Sequence, residues 1–502
     1  MSFVSAAAAE GFARGMQQVC AVLPDTGADY LHLQESAGRG DAAAAVAAAA
    51  VAAAAAPGPA INLPPALAVA YSGGLDSTVL LHLAHAWASR HSLPLFAFHI
   101  HHGLSPHADE WLAHCQQNAQ ALGVPFFFEH VVLAQAGNIE AQARKMRYAA
   151  LGRLCRQHGV PLLLTAHHQD DQAETVLLKL LRGALVGKGM ELLTRAPDLT
   201  GSDQVLIGRP LLATPRPGIL DFAREHQLAH VHDESNLSPK YARSALRAQV
   251  MPVLATHFPG FQQVLARSSL HAQETAGLLD ELGQQDLARY RQNDAATAVP
   301  GLQLAALSDL SQSRALNLLR YWLASHGARL PSSSWLHELY AQLRTARDDA
   351  QVCVVHPDCE IHRYRGCIQL AAKWQPAATA QRFQWQGETV LSFAAFGGQL
   401  QFIPAAAGEA GIGAIWLRQQ TLELDYRQGG ERIKLGPNRP HRSLKQHYQT
   451  FNIPAWQRTR LPLVHVSGER PGLLYAAGLG CASEYCGQSA QSVRLVWHMY
   501  MT

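Results

Sequence analysis

The stretch 66–84 restricts the fold of this chain more than any other. Ala66-Leu67-Ala68-Val69-Ala70 has the length and bulk of a fully buried strand, and Thr78-Val79-Leu80-Leu81-His82-Leu83-Ala84 reads as a helix with an apolar face. Between them, Tyr71-Ser72-Gly73-Gly74-Leu75-Asp76-Ser77 must turn the chain within a few small residues. A strand, a glycine turn and a helix start together make an anion site, because the free N–H groups of the first helical turn point outward with partial positive charge. Ser72, Ser77 and Thr78 add hydroxyl donors. Asp76 adds a carboxylate, which repels phosphate unless a cation lies between them. The stretch therefore reads as a phosphate cradle with Mg²⁺.

The GxxxxGK[ST] pattern and its lysine are absent, so this is not the common nucleotide P-loop. Ser72-Gly73-Gly74-Leu75-Asp76-Ser77 instead resembles the SGGxDS signature of the PP-loop ATP pyrophosphatases. That resemblance implies cleavage of ATP between its α and β phosphates, with pyrophosphate held in the loop and AMP transferred to a carbonyl oxygen.

The chain around this loop alternates. Strand patterns at 95–100, 124–130 and 160–164 are followed by helix patterns at 108–122, 139–158 and through Leu181. Such alternation predicts an α/β fold with a parallel sheet covered on both faces, and ligands at the carboxyl ends of its strands. Polar clusters fall at those ends. His99-Ile100-His101-His102-Gly103-Leu104 suits packing or nucleotide lining better than metal. Thr165-Ala166-His167-His168-Gln169-Asp170-Asp171-Gln172-Ala173-Glu174-Thr175 ends a strand in two histidines and opens a helix with acids. Asp170 serves as a simple cap, whereas Asp171 and Glu174 share one helix face and suit Mg²⁺ or an amine. Glu140, Arg144 and Arg147 form a helix stripe that either lines the site or is a solvated salt-bridge face. Asp233-Glu234-Ser235-Asn236, then Arg243 and Arg247, either close over a charged substrate or form a polar connection.

At 502 residues the chain is long enough for about three domains. A net charge of +3 implies no nucleic-acid partner by itself, so a basic surface has to be local. Eight scattered cysteines without a CxxC pair point to reduced thiols and a cytoplasmic protein, and no stretch is apolar for long enough to make a membrane helix. Residues 1–60 are expected to be an Ala-rich extension without a catalytic role: Ala42 to Ala56 is alanine apart from Val46 and Val51, and Pro57-Gly58-Pro59 closes it. Helical periodicity marks 315–323 and 335–346, whose aromatics read as core. Cys353, His356, Cys359, His362 and Cys367 have spacings that match no standard zinc site, so zinc is not expected. The last hundred residues read as short strands with a helix near 443–451. Between Arg427 and Arg460 there are eight Lys/Arg against one acid, Glu431, with Tyr448, Phe451 and Trp456 interleaved. That face suits phosphate contact with folded RNA, or is a solvated surface.

Ser72–Ser77, His102-Gly103-Leu104, Glu140/Arg144/Arg147-Tyr148, His167–Thr175, Arg209-Pro210-Leu211-Leu212 and Asp233…Asn236…Arg243 occur in the order and spacing of the tRNA(Ile)-lysidine synthase family. The segment from Arg427-Gln428-Gly429-Gly430-Glu431 to Arg458 resembles that family's C-terminal domain. The resemblance implies an ATP- and Mg²⁺-dependent ligase. It would join the ε-amine of L-lysine to C2 of the wobble cytidine in a CAU-anticodon tRNA(Ile), through an adenylated tRNA. It implies that Ser72, Gly73, Gly74, Leu75, Asp76 and Ser77 bind ATP, with Asp76 on the Mg²⁺–pyrophosphate. Asp76, His167, Asp171, Glu174 and Arg243 would be catalytic. Arg427, Arg432, Lys434, Arg442, Lys445 and Arg458 would bind tRNA. The expected layout is a PP-loop α/β domain over 61–250, a helical substrate-binding domain over 251–375, a linker at 376–400 and a small α+β domain over 401–502. Three positions depart from the family pattern: Ser244 replaces the usual asparagine, the glycine-rich stretch 182–190 is short, and His101 stands where asparagine or aspartate is commoner. Cytidine thiolation by a related enzyme would want clustered cysteines, which are lacking here. A non-catalytic tRNA-binding relative would not need Asp76, Asp171 and Glu174. Neither a monomer nor a homodimer is indicated.

Overall fold

The computed structural model describes residues 5–23, 62–103, 105–131, 139–183, 188–232, 242–292, 301–347, 352–373, 379–406, 409–467, 472–487 and 491–500. They fall into two compact units, Met1–Leu278 and Leu279–Thr502. The division lies inside one long helix, Phe261–Tyr290.

The first unit is built on a six-stranded sheet. Its strands are β1 (Leu67–Ala70), β2 (Leu95–His101), β3 (Phe126–His130), β4 (Leu162–Leu164), β5 (Leu193–Arg195) and β6 (Leu206–Gly208), in the spatial order β3-β2-β1-β4-β6-β5. All neighbours are parallel except β5, which runs antiparallel to β6. Side chains alternate across a strand, so a sheet covered on both faces needs two cores. Leu67, Val69, Leu162 and Leu164 enter one core, and Ala66, Ala68, Leu163 and Val205 enter the other. β1 and β4 are the central strands, and the loops that leave their carboxyl ends carry the two main polar motifs.

The helices of this unit, in chain order, are α1 (Ser5–Ala21), α2 (Leu75–Arg90), α3 (Ala108–Ala121), α4 (Ile139–Gln157), α5 (Gln169–Leu181), α6 (Arg216–Glu225) and α7 (Ala242–Ala245). The first corrects the reading of residues 1–60 as an appendage. Ala8, Phe12, Met16, Val19, Cys20 and Leu23 are buried in the same core as β1 and α2. Their spacing is a helical stripe, which the alanine-rich segment after it masks in the sequence. Gly15 is required by close approach, since a Cβ there would lie 2.0 Å from the Pro210 carbonyl oxygen. The alanine run 42–56 lies outside the described residues.

The second unit has a core of helices and strands. Helices Gln312–Ser325 and Ser333–Thr345 fall where the periodicity placed them, and each is N-capped by a serine side chain, Ser311 and Ser332. A five-stranded antiparallel sheet is added to them, in the order β7-β8-β11-β10-β9, from β7 (Arg291–Gln292), β8 (Gly301–Gln303), β9 (Cys353–Val355), β10 (Cys359–Tyr364) and β11 (Cys367–Ala372). Ile361 and Ile368 of this sheet meet Trp322 and Leu339 in the core. The remaining residues form two further five-stranded sheets. The stretch 376–400 is not a linker: Gln381–Phe383 pairs with Thr421–Tyr426, Val390–Phe393 pairs with Gly398–Pro404, and Trp385, Phe393 and Phe396 are buried. The predicted helix near 443–451 is Leu444–Thr450, closed by a Ser443/Gln446 capping box.

Candidate active site

Gly73 bends the chain out of β1 with φ +83°, a conformation that glycine adopts without a Cβ penalty. The bend is packed from below: a Cβ at Gly73 would lie 2.6 Å from the Cys115 sulfur of α3 and 3.2 Å from Val231 Cγ2. Val231 N–H donates to the Gly73 carbonyl at 3.0 Å, so the chain after α6 holds the loop in register. Ser77 Oγ donates to the Gly74 carbonyl at 2.9 Å and lies 3.1 Å from Ser72 Oγ, while Thr78 Oγ1 donates to the Gly74 carbonyl at 3.0 Å. The hydroxyls therefore brace the turn. The N-cap, Gly74, offers no side chain to the first N–H groups of α2, which are left to a ligand. Leu75 opens α2 and packs against the core. Asp76 follows, with Oδ1 buried and without a hydrogen-bond partner.

The second wall comes from the turn between β4 and α5. Asp171 accepts the His168 N–H at 3.1 Å, which fixes the start of α5. The His168 ring is 3% exposed, and its Nε2 lies 3.3 Å from Asp171 Oδ2 and 3.7 Å from Asp76 Oδ2. One buried imidazole thus joins the phosphate loop to the acidic helix. Burial alone would lower its pKa, but the neighbouring Asp76 carboxylate and the charges of Asp171 and Asp170 outweigh burial and raise it. His167 behaves oppositely. Burial pushes its imidazole down to about 3; the Asp171 charge resists this, while Arg209, Arg144 and Arg243 reinforce it. His167 is therefore neutral, with Nδ1 placed 2.9 Å from Thr165 Oγ1.

Glu174 is 1% exposed, so its carboxylate oxygens need partners inside the protein. Arg243 Nε donates to it at 2.8 Å, and Arg247 donates through Nε at 2.6 Å and Nη2 at 2.9 Å. Both arginines also reach Asp171 Oδ1 at 3.1 Å. Burial would raise the Asp171 pKa, but His168, His167 and Arg243 together hold it below the ordinary carboxylate range. The sequence reading named Asp171, Glu174 and Arg243 as catalytic and gave Arg247 only as part of a stretch that either closes over a charged substrate or is a polar connection. The available signal was spacing: Arg243 and Arg247 are four apart and face two acids three apart. Arg209 is buried behind the site, with Nη1 donating to the Glu191 carbonyl at 2.6 Å and to Thr194 Oγ1 at 3.0 Å. Arg144 lies over the buried Tyr148 ring, 5.1 Å from its centroid. Leu104, the Glu140 side chain, residues 184–187 and Asp233-Glu234-Ser235-Asn236 lie outside the described residues.

In the second unit, Arg432, Arg442 and Lys445 are exposed on or beside a two-stranded ribbon, Arg432–Ile433 with Arg442–Ser443. Lys434 is half-buried. Arg427 pairs with Glu431 at 3.3 Å, and Arg458 donates to the Ile453 carbonyl at 2.7 Å, so these two cations are engaged with the protein itself. The interleaved aromatics divide as well. Tyr448 is fully buried with its hydroxyl on the Ala477 carbonyl, Trp456 stacks on His362, and Phe451 is 47% exposed.

A glycine turn and helix start at the end of a parallel strand, beside a buried acid–histidine–arginine network, define an ATP-using PP-loop enzyme, and residues 51–254 match the family model described as the PP-loop domain. Residues 302–369 match the TilS substrate binding domain, and 422–497 the TilS substrate C-terminal domain. A protein of Ralstonia nicotianae named tRNA(Ile)-lysidine synthase is 46% identical over 448 residues, covering 87% of this chain and 92% of the relative. Proteins of the same name from Burkholderia pseudomallei (40% identical; 82% of this chain, 88% of the relative) and Nitrosomonas europaea (36%; 86% and 92%) align over similar spans. The chain belongs to the tRNA(Ile)-lysidine synthase family, whose members are ligases that form a carbon–nitrogen bond.

Proposed function

We propose that this enzyme joins the ε-amine of L-lysine to C2 of the wobble cytidine in a CAU-anticodon tRNA(Ile), through an adenylated tRNA. The observation that carries the reading is the His168 bridge: one imidazole lies within 3.7 Å of the loop carboxylate Asp76 and 3.3 Å of Asp171. The cradle for the leaving pyrophosphate and the acids suited to a cationic amine thus adjoin each other in one site. Ser72, Gly73, Gly74, Leu75, Asp76 and Ser77 bind the ATP phosphates through backbone N–H groups and hydroxyls. Mg²⁺ fits Asp76, whose Oδ1 is buried, unpartnered and beside the cradle. When bound, the ion supplies neutralisation of the pyrophosphate charge.

Asp171 and Glu174 hold the lysine ammonium in exchange with Arg247, the more exposed of the two arginines at 43% against 27%. Arg243 then keeps the acids aligned and is free to meet the lysine carboxylate. His167, neutral beside the site, adds no charge next to the triphosphate, and its ring nitrogen away from Thr165 can accept a hydrogen bond from the incoming amine. These groups act mainly by alignment and charge neutralisation. The exposed cations Arg432, Arg442 and Lys445, with Lys434 beside them, contact the tRNA backbone; Arg427 and Arg458 shape that face. The cytoplasm is the expected compartment for a tRNA substrate. The test is ATP-dependent incorporation of labelled lysine into the tRNA(Ile) transcript, with the CAU methionine tRNA as control. Label on the first alone, lost in Asp76→Asn, is the expected result; pyrophosphate release without lysine transfer would refute the assignment of the nucleophile.

A further inference from the structure

A second cluster of ligand-type side chains lies in the other unit. Cys353 on β9 and His362 on β10 are direct cross-strand partners, and Glu360 lies two residues before His362 on the same face of β10. One ligand atom from each of the three lies within 4.8 Å of the others. His362 Nε2 is 3.2 Å from Glu360 Oε2, so the imidazole is already aimed into the cluster. Its ring is held by a parallel stack on Trp456, with centroids 4.2 Å apart and planes at 8°. Arg460 donates to Glu360 Oε2, the oxygen that also faces His362, and, at 2.8 Å, to the Ala372 carbonyl, which fixes the position of the carboxylate and leaves Oε1 for an ion. Ligating carboxylates and imidazoles in metal sites are commonly held by such outer contacts. β9 is the edge strand of its sheet and Cys353 is exposed, so an ion has a path in.

We propose that Cys353 Sγ, Glu360 and His362 form a zinc site with an open fourth position for water. Thiolate, imidazole and carboxylate together select a borderline-soft ion over Mg²⁺ or Ca²⁺. Bond lengths of about 2.0–2.3 Å place tetrahedral ligand atoms roughly 3.5 Å apart, so the cluster closes by about an ångström, within reach of the exposed Cys353 rotamer. Binding replaces the Cys353 thiol proton, which goes to solvent, and the His362–Glu360 hydrogen bond; the Nε2 proton of the neutral imidazole shifts to Nδ1, so that Nε2 can bond the metal. The sequence spacing conceals the site because strand register, not a CxxC or HxxxH interval, brings Cys353 to His362.

Cobalt substitution reads the site directly. The full-length protein, stripped with chelator and titrated with Co²⁺, should develop thiolate-to-cobalt charge-transfer absorption at one equivalent. Cys353→Ser, an exposed change that leaves the fold intact, should abolish that absorption, and Glu360→Gln should weaken binding. Zn²⁺ should raise the melting temperature of the parent and not of Cys353→Ser. Absence of the thiolate band in the parent overturns the proposal. So does its persistence in Cys353→Ser, which would place the metal on other thiols such as Cys481 and Cys486. The result is independent of ligase activity, which Cys353→Ser leaves unchanged.

Discussion

Gly73→Ala tests the geometry of the phosphate cradle at its tightest point. Two penalties add. The residue sits at φ +83°, where an L side chain costs about 1–2 kcal/mol. The new Cβ would also lie 2.6 Å from the Cys115 sulfur, closer than real Cβ atoms come, and relieving such overpacking costs about 1–3 kcal/mol. The sum, about 2–5 kcal/mol, opposes the conformation that presents N–H groups to phosphate. At about 1.4 kcal/mol per tenfold, kcat/KM for ATP should fall by about 30-fold to about 4 × 10³-fold. The assay is pyrophosphate release with tRNA and lysine saturating and ATP varied. A second substitution separates the two penalties. Cys115→Ala removes the sulfur and leaves the backbone angle alone, so Gly73→Ala/Cys115→Ala should recover the steric part and keep the conformational part. Gly73→Ala with near-parental kcat/KM, or a double variant no better than the single, would refute the packing argument.

Phe12→Ala should destabilise the first unit by about 3–5 kcal/mol, read by denaturant unfolding, because Phe12 is 2% exposed in the core shared with β1. An appendage would give no change. The His167 imidazole binds fewer protons folded than unfolded between its ordinary value of 6.5 and about 3. Its share of stability is therefore present above pH 6.5 and lost as pH falls through that window, and His167→Gln should flatten this part of the stability–pH profile. Arg442→Ala and Lys445→Ala should each weaken tRNA binding at every sequence and reduce the slope of log affinity against log salt by about one unit or less. Tyr448→Ala should instead lower stability by about 3–5 kcal/mol, since its ring is core and its hydroxyl is satisfied internally.

The parallel sheet, the phosphate turn and the acidic helix start were legible in the sequence because each is a local pattern. Buried strands are short apolar runs, a glycine turn precedes a helix, and acids three apart share a helix face. Local pattern also singled out Asp76, Asp171 and Glu174, and the family resemblance added His167 and Arg243. It did not reveal that Asp171 and Glu174 are already held by Arg243 and Arg247, that His168 joins them to Asp76, or that Cys115 lies under Gly73. Those contacts span about forty to ninety residues of chain and depend on which strands neighbour one another. The same holds for α1, whose apolar stripe gains meaning only when the sheet offers it a face, and for Cys353 with Glu360 and His362. The sequence by itself determined the kinds of elements and the chemistry that each carries. Tertiary structure alone decided which charges meet and which side chains are core, because burial and long-range register are set by the packed whole.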